Sequence, residues 1–173
     1  MTEPVGSLPL WIDHLRQSLA DSAAFRTWVG AANQAEALEH IHWDALPPPT
    51  DDAEEYTAAA LAAYRPYALL GLDEEQGYQR TRVSQRGFET ACRLILMLIQ
   101  ADPGSEDRTD DDIAWQNTIE AITADIEARV NTAGYLCFDR WKIDEGPGRR
   151  HPDYDPACGA EQGVIIAFEG RGA

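Results

Sequence analysis

The sequence predicts one small α/β domain of the α+β kind, with a sheet of about four to five strands covered by two or more helices. Three observations lead there. The chain has 173 residues, the length of one core-bearing domain and short of two. Apolar residues make up 44% and charged residues 25%, the balance of a chain that folds. A single long stripe of helical period, Trp115, Ile119, Ile122, Ile126 and Val130, stands among short alternating or dense apolar runs of strand character.

Leu10, Trp11, Ile12, Leu15 and Leu19 fall close to helical spacing, with Pro9 suited to a first turn and Ser7 to a cap, so a helix is predicted over about 8–20. Asp21 or Ser22 caps a second short helix through Phe25, Trp28 and Val29, and Gly30 stops it. Residues 33–38 allow one more helical turn. His40, Ile41, His42, Trp43 and Asp44 then alternate as a strand does, and Pro47, Pro48 and Pro49 end it. Residues 50–64 are acidic in front and alanine-rich behind, the pattern of a short surface helix. Alanine buries little area, so this segment reads as an insertion, within long-loop territory spanning about 47–64.

Residues 66–72 (PYALLGL) form a short dense apolar run, a buried strand. A turn over 73–77 leads to 78–84, which alternates as a ribbon exposed on at least one face. In the stretch after Gly87, Phe88, Thr90, Cys92, Leu94, Leu96 and Leu98 share one face of a long strand; a helix is the rival reading, because period does not settle a run this dense. After a loop at 102–104, Thr109 and the three aspartates Asp110 to Asp112 open the striped helix, which 132–134 closes. Strands are predicted at 135–143 and 163–169. Between them, 144–162 is rich in Gly, Pro, Arg and Asp without periodicity, a second long loop.

Thirty acidic residues against 14 basic ones give a formal charge of -16, which opposes binding to a phosphate backbone. The longest apolar-dominated stretch, 91–99, contains Arg93 and is too short to span a membrane, so no membrane partner is expected. The first nine residues do not have the charge and apolar pattern of a secretory signal. Cys92, Cys137 and Cys158 are too few and too scattered for a disulfide framework, which fits a reducing compartment.

His40, His42 and Asp44 place two imidazoles and a carboxylate on one strand face, the one metal-like spacing in the chain. A solvated strand face accounts for it better, since no third histidine stands at a supporting spacing. The three aspartates are better explained as a helix start than as a calcium loop. No nucleophile elbow, phosphate loop, dinucleotide fingerprint or zincin helix occurs, so neither a catalytic residue nor a cofactor is expected. Arg149, Arg150, Asp153 and Tyr154 compose a polar contact surface or an exposed loop tip. Arg80, Arg82, Arg86 and Arg93 suit the acidic patch of a neighbouring subunit or a solvated ribbon.

Taken in order, AAFRTWVGA (23–31), HIHWDALPPP, RPYALLGL, RGFETACRLILMLI, the helix over 110–130 and the closing GVIIAFEGRG resemble the tail terminator, or tail completion, proteins of long-tailed bacteriophages. The resemblance is one of element order and local flavour and spans most of the chain. It implies a mixed, mainly antiparallel sheet covered by helices, and a homohexameric ring seated on the last ring of the tail tube. Such a ring stops tube elongation and presents a surface to the head connector. It implies a virion location in the tail-neck region after assembly in the host cytoplasm, with the tube protein and a head-tail connector or neck protein as partners. Genome DNA then passes through the channel without specific binding, and carboxylates lining the bore would repel its phosphates. A closed ring requires a head-to-tail contact between different faces of one subunit.

Three alternatives differ in kind. Another neck or tail ring protein, a connector or tube subunit, shares the size and architecture. A small metal-dependent enzyme would use His40, His42 and Asp44. A plain binding module would lack self-association.

Overall fold

Trp11, Leu15 and Leu19 recur at every fourth position of helix α1 (Ser7–Asp21), and all three are completely buried. The computed structural model describes residues 7–47, 63–74, 77–82, 88–101, 108–130, 138–149 and 161–172. The readings at 48–62, 83–84, 102–104, 132–137 and 150–160 lie outside them. Helix α2 (Ala23–Val29) starts where the Ser22 Oγ accepts the Phe25 N–H at 3.0 Å and ends at Gly30, whose φ of 75° is the left-handed conformation glycine adopts at no steric cost. Helix α3 (Gln34–Glu39) is capped by Asn33, which accepts the Glu36 N–H at 3.1 Å; the Glu36 carboxylate returns by accepting the Ala32 N–H at 2.8 Å.

The strands follow as β1 (Ile41–Trp43), β2 (Tyr67–Leu72), β3 (Tyr78–Arg82) and β4 (Phe88–Ala101). Helix α4 (Arg108–Val130) then leads to β5 (Phe138–Arg149) and β6 (Glu161–Gly172). They make one sheet in the order β1-β2-β4-β6-β5, with β3 also on β4. The β1–β2 pair is parallel and the other four pairs are antiparallel, so the sheet is mixed and mainly antiparallel. Among the described residues five strands lie in this order, and β3 shares the β2 edge of β4 beyond the end of β2.

The strand reading of 88–99 prevails over the helical one. Cys92, Leu94, Leu96 and Leu98 alternate inward, and β4 pairs with β6 from Thr90↔Gly172 to Ala101↔Glu161. Helix α4 lays Trp115, Ile119, Ile122 and Ile126 into the same core, with Val164, Ile166 and Phe168 of β6. Each such burial contributes roughly 1.5–3 kcal/mol of transfer free energy. On the other side of the sheet, Tyr67, Leu69 and Ile99 form a small separate cluster with Leu46, Tyr64 and Met97.

The turn expected over 73–77 leads from β2 to β3 without reversing the chain. Leu72 pairs with Leu94 and Tyr78 with Cys92, so β2 and β3 run in line along the same edge of β4, and the excursion between them stands opposite Arg93 alone. Arg93 satisfies both of its backbone groups at the two ends of the excursion, donating to the Gly77 carbonyl at 2.8 Å and accepting the Asp73 N–H at 3.1 Å. Gly77 is needed there, because a Cβ would sit 2.8 Å from the Asp73 carbonyl oxygen.

One expectation requires correction, the reading of 144–162 as loop. Strand β5 continues to Arg149, into the span read as loop, and β6 covers 161–172 where 163–169 was expected. Register shifts between Ile143 and Glu145 and between Glu145 and Arg149 keep the Gly146-Pro147-Gly148 stretch beside β6 while destroying its period-two pattern.

Candidate assembly interface

The surface residues singled out by sequence do not converge on one patch. Arg80 pairs across from Thr90 and Arg82 from Phe88, at one end of β4. Arg149 pairs with Gly163, which is level with Ile99 at the other end and on the far side of β6. At about 3.3 Å per residue, nine positions of strand separate the two levels by roughly 30 Å. Arg86, Arg150, Asp153 and Tyr154 lie outside the described residues. The side chains of Tyr78, Gln79, Thr81 and Arg82 are exposed.

The metal-like triplet is also taken apart. The regular strand spans only Ile41–Trp43, so His40 and Asp44 flank it. His40 is the C-cap of α3, with Nδ1 3.0 Å from the Pro66 carbonyl oxygen. The His42 ring meets Tyr64 and Tyr67 edge-on, with centroids 5.8 and 6.2 Å away. Asp44 has a φ of 64° and is exposed. Among the described residues no group of three or more His, Cys, Asp or Glu side chains is placed to hold a metal ion. Burial lowers the His42 pKa from 6.5, and the charges of His40 and Arg16 lower it further, so this imidazole is neutral at pH 7.

Ile41, at one end of β1, joins the core under the helices. Beside it the fold leaves a groove of about 430 Å³ between Ile12 and Arg16 of α1, Ile41, His42 and Trp43 of β1, and Ala45, Pro47 and Leu70. Trp43 remains 43% exposed, an unusual state for the largest side chain. Sequence reasoning assigned Trp43 to the apolar face of a five-residue strand. With three residues at the sheet edge, that face ends before Trp43 is covered.

A second groove of about 540 Å³ lies over the sheet face away from the helices, with Leu69, Ile95, Met97 and Ile165 as floor and Asp44, Asp73 and Glu74 at the rim. Asp73 is held by Arg93, whose guanidinium nitrogen lies 3.5 Å from its carboxylate. Neither groove gathers a nucleophile with a base.

No model of a known protein family matches the chain, and no curated protein matches it. A chain in the solved virion of the native gene transfer agent (GTA) particle is similar at 16% sequence identity, over 91% of this chain and 92% of that one, with a TM-score of 0.41. At that score and identity the likeness carries no functional argument.

Large apolar side chains are exposed elsewhere too. Ile113, in the first turns of α4, is 54% exposed beside Asp110, Asp111 and Asp112. The sequence carried this signal: Ile113 is the aliphatic residue of α4 that falls off the Trp115–Ile126 stripe. No helix among the described residues is long and apolar enough to cross a membrane.

Proposed function

We propose that this chain is a structural protein of a tailed-phage-type virion that assembles as a ring, caps the tail tube as a terminator, stops its elongation and offers the far side of the ring to the head connector. The observation that carries the reading is the sheet itself. It is open, one face is covered by helices, and among the described residues its outer strands β1 and β5 each pair on one side only. Two different edges on opposite flanks of one subunit are what a head-to-tail contact needs in order to close. The element order supports the same reading, with short helices carrying Phe25 and Trp28 before Gly30, then strands, a long helix on the sheet and two closing strands.

The test is mass over a concentration series by native mass spectrometry, followed by addition of purified tail tubes. A ring of six copies of the 19.1 kDa chain, about 115 kDa, that binds one end of a tube and blocks further addition is the expected result. A ring that binds the connector but not the tube assigns the chain to the neck instead. A monomer that tubes do not recruit rejects both.

A further inference from the structure

We infer that the Trp43 groove at the β1 edge receives the acidic first turn of α4 from a second copy of this chain, with the neighbour's Ile113 seated against Trp43 and its Asp110 facing Arg16. The inference rests on the self-assembly reading and names the contact that builds it.

The two surfaces fit in chemistry. The groove is mainly apolar, formed by Ile12, Ile41, Leu70, Pro47 and the exposed indole of Trp43, with the His42 imidazole in its lining and one cation, Arg16, at its side. Among the described residues no carboxylate forms an ion pair with Arg16. The proposed occupant is the mirror of this arrangement, an aliphatic side chain that the fold leaves 54% exposed within a run of carboxylates. In a chain of net charge -16, an apolar surface carrying a cation is the natural place for an acidic copy to dock. Trp and Arg are the residues around which binding energy concentrates when water is excluded from a contact.

The two surfaces are also different parts of the subunit. The groove lies between α1 and the β1 edge, while Ile113 and Asp110 belong to the first turns of α4, a helix that packs on α1, α2 and β5. A contact between two different surfaces is heterologous and propagates head to tail, whereas groove-to-groove pairing would give a two-fold dimer.

The experiment mixes two differently tagged full-length chains that keep Trp43 and Ile113, one carrying Ala45→Cys in the groove lining and the other Asn117→Cys, one turn along α4 from Ile113, under mild oxidation by diamide, with cross-linked peptides mapped by mass spectrometry. The expected product is a disulfide between position 45 of one chain and position 117 of the other. In the unmodified chain, Trp43→Ala is expected to raise the concentration at which assembly is half complete by about tenfold or more, since removing a buried anchor costs over 1 kcal/mol. Arg16→Glu should do the same and be rescued at least in part by Asp110→Arg in the same chain. Both side chains are partly or fully exposed, so melting temperature checks that the fold is kept. A ring that forms without the 45–117 link, or with only 45–45 links, overturns this contact and leaves the ring reading standing. The 45–117 link in an assembly that ignores tail tubes supports the contact and rejects the terminator role. A chain that stays monomeric and unlinked overturns the contact outright.

Discussion

Ser22 and Asp125 lie 103 positions apart in the chain and are joined by a hydrogen bond of 2.8 Å from the Ser22 Oγ to the Asp125 Oδ2. The same carboxylate oxygen accepts the Ala24 N–H at 3.2 Å. The N-terminus of α2 therefore has two caps, its own serine and an aspartate from the last two turns of α4. One turn further along α4, Arg129 forms an ion pair with Asp21 at the end of α1. The α1–α2 joint is thus held onto α4 by polar contacts above the apolar stripe.

Asp125→Ala should therefore destabilise the chain by about 1–3 kcal/mol, because it leaves the Ser22 hydroxyl and the Ala24 N–H without their acceptor. Ser22→Ala should cost about 1 kcal/mol. The double variant should lose less than the two single losses combined, since both substitutions remove the same bond. Urea unfolding of the four chains measures this, and strict additivity would show that the two caps act independently.

Local signals in the sequence carried the helical part of the fold. Ser22 and Gly30 bracket α2, Asn33 starts α3, and the Trp115–Ile126 stripe marks the buried side of α4, all within a few residues of one another. What was not legible depends on partners distant in sequence. The turn-like composition of 73–77 says nothing about whether the chain reverses; that is decided by Arg93, which bonds both ends of the excursion. The bulges that carry β5 past Ile143 erase the alternation by which strands are recognised. The groove at Trp43 depends on α1 meeting β1, so no spacing announces it, although the misfit of Ile113 with its helix stripe was visible.

Cys92 offers a probe of the core. It is 3% exposed, and burial pushes its thiol pKa from 9.0 up to about 12. The folded chain keeps the proton that the unfolded chain releases, so this residue's contribution to stability is intact below pH 9 and declines as pH rises toward 12. Iodoacetamide at pH 8 should leave Cys92 unmodified in the native protein and label it on unfolding in urea, as read by peptide mass mapping. Rapid native labelling at Cys92 would contradict its placement in the sheet.

For His42 the sign is the opposite. Its pKa is depressed below 6.5 chiefly by burial, so the unfolded chain takes up a proton first and stability falls as pH drops below 6.5, levelling off below the folded value. A proton NMR titration should give a His42 midpoint under 6.5. Arg16→Gln should move that midpoint upward by removing a nearby positive charge. A midpoint at or above 6.5 in the native chain would refute the packing of His42 against Tyr64 and Tyr67.

Two glycines separate backbone conformation from space. At Gly30 a Cβ would meet nothing within 4 Å, so Gly30→Ala should cost only the left-handed penalty, about 1–2 kcal/mol. At Gly77 a Cβ would press on the Asp73 carbonyl at 2.8 Å, so Gly77→Ala should force the excursion open. Hydrogen exchange should then show faster exchange at the Arg93 amide, which bonds to the Gly77 carbonyl, while β6 keeps its protection.

Because Arg93 fastens the chain at Asp73 and again at Gly77, the alignment of β2 and of β3 on β4 is independent of how many residues lie between those two points. The excursion is thus a place where the polypeptide can lengthen without reindexing the sheet. A short epitope spliced in after Glu74 would emerge at the rim of the helix-free face and serve as a handle for locating that face within an assembled particle.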